Sequence, residues 1–79
     1  MSIDQLTQKL VEMLLDIAPG VEMSAAKSGQ SLEDVGYDSL DQSSFLLSID
    51  EQLGIKIENE HVQGLRTLKD YVDHLSARL

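Results

Sequence analysis

The chain has 79 residues, enough for one domain with one hydrophobic core, and it contains no cysteine. Disulfide bonds and thiolate metal sites are therefore excluded. Fourteen acidic residues against six basic ones give a formal net charge of −8. We expect such a surface to repel nucleic acids and anionic membranes and to attract partners that carry basic patches.

The sequence contains no recognisable targeting or membrane-spanning segment. The residues after Met1 lack the basic stretch that begins a secretory signal peptide, and no apolar run approaches the roughly 20 residues that a bilayer requires. We therefore expect a cytoplasmic protein in which residues 1–79 form a single domain, and we expect that domain to be a monomer.

The first predicted helix begins after Ser2 and ends before Pro19. Ser2 and Gln5 match a capping box, while Pro19 and Gly20 favour a turn. Between these limits, apolar residues recur at helical spacings of three and four at Ile3, Leu6, Leu10, Leu14 and Ile17.

Helical periodicity is lost between Val21 and Asp38, and we predict a long loop there with one turn of helix around Leu32–Val35. Loops longer than about 12–15 residues are uncommon in compact domains and are often functional. We expect this loop to pack Val21, Leu32 and Val35 onto the helices.

A second long helix is predicted from Ser39 to Leu53, with Asp38 as its N-cap and Gly54 just beyond its end. Its core stripe consists of Phe45, Leu46, Ile49 and Leu53. Leu40 and Leu47 lie toward another side of the same helix. A second apolar edge that begins beside Ser39 indicates a contact surface.

The remaining residues are predicted to form an extended segment and two further helices. Ile55 and Ile57 alternate with Lys56, but so short a strand without a partner cannot form a sheet, so we expect a loop that inserts both isoleucines into the core. A short helix is predicted within residues 58–63. The final helix is capped by Thr67, with Leu68, Tyr71, Val72, Leu75 and Leu79 on its apolar face.

These elements define the predicted fold class. It is all-α, a small four-helix bundle of three main helices and one short helix, with a long loop between helices I and II.

The segment from Leu32 to Asp41 carries the candidate functional residue. It places Ser39 at the start of a helix, directly after a glycine turn, so its hydroxyl group is expected to be within reach of a modifying enzyme. A serine or aspartate in this position also has a purely structural explanation, because these residues are common helix caps. On these local residues alone, the structural explanation is the more frequent one.

This segment resembles the signature of the acyl carrier protein family. The signature is Asp-Ser-Leu at the start of the second helix, preceded by a glycine and usually followed by another acid. Here it reads Gly36-Tyr37-Asp38-Ser39-Leu40-Asp41. The resemblance covers essentially the whole chain, including the order of the helices, residues 50–57 and the final helix that starts at Thr67.

The resemblance implies that a phosphopantetheinyl transferase moves a 4′-phosphopantetheine arm from coenzyme A onto Ser39. The thiol of that arm would hold an acyl group as a thioester for acyl-loading, condensing and acyl-transfer enzymes with basic docking patches. The chain itself would be no enzyme, because the base and the magnesium ion of the modification belong to the transferase. The residues that match the family's partner-docking surface are Asp38, Leu40, Asp41, Leu47, Asp50 and Glu51.

Four positions depart from the family's pattern. Members devoted to fatty-acid synthesis usually carry an apolar residue and then Glu midway along helix II, where this chain has Ser43 and Ser44. Tyr37 stands where a small or aliphatic residue is common, and Glu58 stands where a proline is frequent. Fewer acids on the docking face favour a specialised carrier, serving a polyketide, modified-lipid or aminoacyl pathway, over the carrier of general fatty-acid synthesis.

Other functions remain as alternatives. A hydrolase that used Ser39 with His61 or His74 would need a buried acid and an oxyanion site, which so short a chain does not offer. No metal site is indicated, since the EF-hand pattern of ligands is absent around Asp38 and Asp41. An aminoacyl or peptidyl carrier of a nonribosomal-type pathway stays open, as does a helical interaction domain without a prosthetic group.

Overall fold

The computed structural model describes residues 1–79 and consists of helices and connecting segments, without β-strands. The five α-helices are α1 (Ile3–Ile17), α2 (Met23–Lys27), α3 (Ser39–Leu53), α4 (Asn59–Val62) and α5 (Leu68–Ser76), and a 3₁₀ turn spans Leu32–Val35. The predicted all-α bundle is confirmed. None of the helices has both the length and the apolar character needed to cross a membrane.

The three long helices all begin at capping boxes. In each box, the N-cap side chain accepts a hydrogen bond from the backbone N–H of the third helical residue, whose side chain accepts one from the N-cap backbone. The pairs are Ser2 with Gln5, Asp38 with Asp41, and Thr67 with Asp70. Because every pair lies within four residues, local sequence is sufficient to set where these helices start.

The segment predicted as one long loop also contains the short helix α2. The predicted turn at Leu32–Val35 is present, whereas the sequence pattern gave no sign of α2. This helix has five residues and buries only Ala26 completely. A helix is predicted from apolar residues that recur every three or four positions, and one buried residue does not form such a repeat.

One backbone hydrogen bond closes this segment on itself, and a second ties it to the residues before α5. The Glu22 N–H donates to the Val35 carbonyl at 3.0 Å, and the Leu32 N–H donates to the Arg66 carbonyl at 2.9 Å. Gly36 then turns the chain toward α3 with a φ angle of +103°, a conformation that favours glycine. A Cβ atom at this position would also lie 3.4 Å from the Gly20 carbonyl oxygen.

A single hydrophobic core joins the long helices, with α1 packed against both α3 and α5. The side chains with almost no exposure include Leu6, Leu10, Leu14, Phe45, Ile49, Tyr71 and Leu75. Ile55 and Ile57 are both buried, so the predicted insertion of this extended segment into the core is confirmed.

Two residues assigned to apolar helix faces lie outside this core. Ile3 is the first residue of α1 and is 59% exposed. Leu79 is 56% exposed because α5 ends at Ser76, so the prediction that Leu79 continues its apolar face is wrong. A side chain at the tip of a helix, or beyond it, has core neighbours on one side only.

His74 is a partly buried residue of α5. Its ring faces that of His61 on α4, with 5.1 Å between the ring centroids. Its Nε2 atom is buried and has no hydrogen-bond partner. Burial, together with the nearby charges of His61 and Arg78, lowers the pKa of His74 below its ordinary value.

Phe45→Ala should destabilise the protein by about 3–5 kcal/mol, because it removes a completely buried ring from the core. A loss of this size approaches the whole stability of a small domain. Urea unfolding followed by circular dichroism measures it. The control is Leu47→Ala on the same helix, where an exposed side chain should change stability by less than about 0.5 kcal/mol. Equal losses in the two variants would contradict this description of the core.

His74 should make the stability of the protein depend on pH. Its pKa in the folded state lies below the unfolded value near 6.5, so its contribution is complete above that pH and is lost as the pH falls toward the folded pKa. Urea unfolding at about pH 7.5 and 5.5 should therefore show a smaller loss of stability on acidification for His74→Gln than for the wild type. Identical losses would show that His74 does not contribute.

Candidate functional site

Ser39 is the first residue of α3, and its side chain is exposed. Three residues earlier, Gly36 makes the left-handed turn that brings the chain to the helix. Between them, Tyr37 is buried and Asp38 is exposed. The chain is therefore anchored by an aromatic side chain two residues before the serine, while the serine itself faces solvent.

Asp38 and Asp41 hold this end of α3 in place through reciprocal hydrogen bonds. The Asp41 N–H donates to Asp38 Oδ1 at 2.9 Å, and the Asp38 N–H donates to Asp41 Oδ2 at 3.1 Å. Both carboxylates thus satisfy backbone N–H groups that have no partner within the helix. The Asp-x-x-Asp spacing is a signal from which the whole capping box could have been recognised.

The other predicted docking residues lie along the exposed side of α3. Leu40 is 77% exposed and Leu47 is 58% exposed. At 3.6 residues per turn, these two leucines, Asp50, Glu51 and the exposed Ser43 and Ser44 fall within an arc of about 120°. We call these six residues the α3 face. Asp38 and Asp41 lie at its N-terminal end, and Asp41 is partly buried.

An open groove of about 510 Å³ runs beside Ser39. It lies between the start of α3, the 3₁₀ turn and the connection from α4 to α5. Its polar wall includes Ser31, Glu33, Gln42, Gln63 and Arg66. No sequence pattern indicates this groove, because its residues come from segments that are far apart along the chain and follow no common spacing.

Tyr37 separates the groove from the core. Its ring lines the groove, and its hydroxyl group lies 3.2 Å from the hydroxyl group of Tyr71 on α5. The ring of Phe45 makes edge-to-face contacts with both tyrosine rings. Its centroid is 6.1 Å from that of Tyr37 and 4.9 Å from that of Tyr71. Burial raises the pKa of both tyrosines, so the pair is neutral. No sequence spacing relates these two tyrosines.

Comparison with known proteins places the chain in a family. Residues 8–75 match the family model described as the phosphopantetheine attachment site. The chain therefore belongs to this family of carrier proteins, whose prosthetic group is 4′-phosphopantetheine and whose carrier domain is not catalytic. No solved structure matches the chain.

The curated relatives of the chain include several acyl carrier proteins. One from Nitratidesulfovibrio vulgaris (strain DP4) is 30% identical over 77 residues, which cover 96% of each chain. One from Syntrophus aciditrophicus is 26% identical over 73 residues, covering 92% of this chain and 91% of the relative. A third, from Coprothermobacter proteolyticus, is 28% identical over 76 residues, covering 96% and 93%. The similarity thus extends over nearly the full length of each relative.

The site residues fit the prosthetic group of the family. Ser39 lies within the matched segment, its side chain is exposed, and it borders an open groove. Burial of a phosphate charge is costly, and a phosphoester on an exposed side chain avoids it.

Asp38→Ala should lower the stability of the protein by about 1 kcal/mol, because it removes the N-cap of α3. Asp38→Ser should retain most of the stability, since serine caps about as well as aspartate. Thermal unfolding of both variants measures the difference. If Asp38 served only in docking, the two variants would be equally stable.

Proposed function

We propose that Ser39 is the residue that bears the phosphopantetheine arm, and that the protein is an acyl carrier. The observation that carries the proposal is the exposed serine at the start of α3 within a chain whose residues 8–75 match the attachment family. When bound, the arm supplies a thiol that holds an acyl group as a thioester. Because the arm supplies the thiol, the chain can perform this function without a cysteine.

The residues around Ser39 have supporting roles in this function. The Asp38–Asp41 capping box keeps the helix start ordered, so Ser39 is presented at a constant position. The serine needs exposure and not activation, because a phosphopantetheinyl transferase provides the base. That transferase is therefore the first partner that the proposal requires.

The α3 face is the proposed surface for the transferase and for later partner enzymes. Leu40 and Leu47 offer apolar contact, while Asp50 and Glu51 offer negative charge near the end of the helix. The carboxylates of Asp38 and Asp41 add negative potential close to Ser39. A net charge of −8 steers encounters with partners that carry basic patches.

Ser43 and Ser44 favour a specialised set of partner enzymes. They are exposed in the middle of the α3 face, where they present hydroxyl groups and no charge. We propose that the partners belong to a polyketide or specialised lipid pathway more readily than to general fatty-acid synthesis. The acidity of the chain and the names of its relatives favour acyl over aminoacyl cargo, and charging the arm with panels of acyl and aminoacyl donors decides between them.

Incubation with a broad-specificity phosphopantetheinyl transferase and coenzyme A should add the mass of one arm to the wild-type chain. Ser39→Ala should add none, because the attachment oxygen is missing. Ser48→Ala is the matched control on the same helix but outside the α3 face, and it should be modified like the wild type. Intact-mass spectrometry measures all three proteins.

Two outcomes of this experiment would refute the proposal. An unchanged mass of the wild type would favour a helical interaction domain without a prosthetic group. A mass gain that is still observed in Ser39→Ala would show that the arm is attached to another residue.

A further inference from the structure

The interior of the bundle behind Ser39 is filled by an aromatic cluster, which consists of Tyr37, Phe45 and Tyr71. Phe45 and Tyr71 have no exposed surface, and Tyr37 has only 6%. The cluster joins the chain just before Ser39 to both α3 and α5. Any group that passed from Ser39 into the core between these helices would have to displace one of these rings.

The two tyrosine hydroxyl groups make displacement costly. They bond to each other at 3.2 Å inside the core. If an alkyl chain moved Tyr71 aside, the Tyr37 hydroxyl group would be buried beside hydrocarbon without a partner, which is strongly unfavourable. The edge-on contacts with Phe45 would be lost as well.

Outside this cluster, the open groove offers a different environment. Tyr37 forms its inner wall, and Gln42, Gln63 and Arg66 are among the polar residues around it. The backbone carbonyl of Arg66 accepts the Leu32 hydrogen bond, which links the two sides of the groove. Leu32, Val62 and Leu65 also line the groove, but more of its surface is polar than apolar. A small acyl group with hydroxyl, carbonyl or carboxylate substituents therefore finds hydrogen-bond donors and acceptors there, and it suits the groove better than a long alkyl chain does.

We propose that the cargo of this carrier is a short acyl group with polar substituents, held in the groove beside Ser39, and that the tyrosine pair keeps long alkyl chains out of the core. This inference rests on the proposed attachment of the arm to Ser39. It assigns Tyr37 and Tyr71 the role of specificity-determining residues for the cargo.

The first test is the melting temperature of the protein loaded with cargo of increasing length. The transferase is supplied with butanoyl-, octanoyl- and dodecanoyl-coenzyme A, and intact mass confirms that each product carries its acyl group. The three melting temperatures should agree within about 2 °C, because a chain that stays outside the core buries little apolar surface. Burial of the four extra methylene groups of octanoyl would instead raise the melting temperature by roughly 10 °C or more.

Tyr71→Leu should create the length dependence that the wild type lacks. The smaller side chain vacates volume and leaves the Tyr37 hydroxyl group without its partner, so an octanoyl chain should raise the melting temperature of this variant above that of its butanoyl form. Tyr37→Leu opens the same cluster from the other side and is used if Tyr71→Leu does not fold. If the melting temperature of a folded variant depended on acyl-chain length as little as that of the wild type, the role of the tyrosine pair would be overturned.

Amide chemical shifts test where the cargo lies. Loading with 3-hydroxybutanoyl should shift the signals of Gln63 and Arg66 more than loading with butanoyl does, and should leave those of Phe45 and Ile49 unchanged. Shifts concentrated at Phe45 and Ile49 would overturn the groove as the cargo site.

Failure of this inference is distinguishable from failure of the proposed function. A protein that gains no mass at Ser39 fails the proposed function before any cargo is compared. A loaded wild type whose melting temperature rises with chain length overturns the cargo inference and leaves the carrier function intact.

Discussion

The contact among Tyr37, Phe45 and Tyr71 is the constraint on which the arrangement around Ser39 depends. It brings together the end of the long connection, the middle of α3 and the middle of α5. Tyr37 is held inside, and the chain returns to the surface in the next two residues, at Asp38 and Ser39. The burial of Tyr37 and the exposure of Ser39 thus belong to the same turn of the chain.

The start of α3 combines a stability role with a proposed functional role in the same two carboxylates. Asp38 and Asp41 satisfy backbone N–H groups of the helix, and they also place negative charge beside Ser39. Negative charge is favourable at this end of a helix because it complements the macrodipole. At the other end, Asp50 and Glu51 oppose the macrodipole, so their position brings no comparable local benefit.

Local patterns accounted for most of the fold. The caps at Ser2, Asp38 and Thr67 and the apolar periodicity of the long helices predicted where α1, α3 and α5 lie, because each signal is contained within one or two helical turns. Helix α2 escaped prediction, since one completely buried residue gives no periodicity. Leu79 was misplaced because periodicity does not indicate where the last turn of a helix loses its tertiary support.

The sequence by itself determined the class of this protein: an acidic, cysteine-free helical bundle with a serine at the start of its second long helix, in the order typical of phosphopantetheine carriers. Capping and amphipathic patterns are short-range, so residues alone suffice to indicate them. Only the tertiary structure decided what surrounds that serine. The pairing of Tyr37 with Tyr71 and the convergence of Gln42, Gln63 and Arg66 around one groove depend on how separate helices pack, and no spacing along the chain encodes them. The position of Ser39 could therefore be predicted from the sequence, whereas the tyrosine pair and the groove beside it could not.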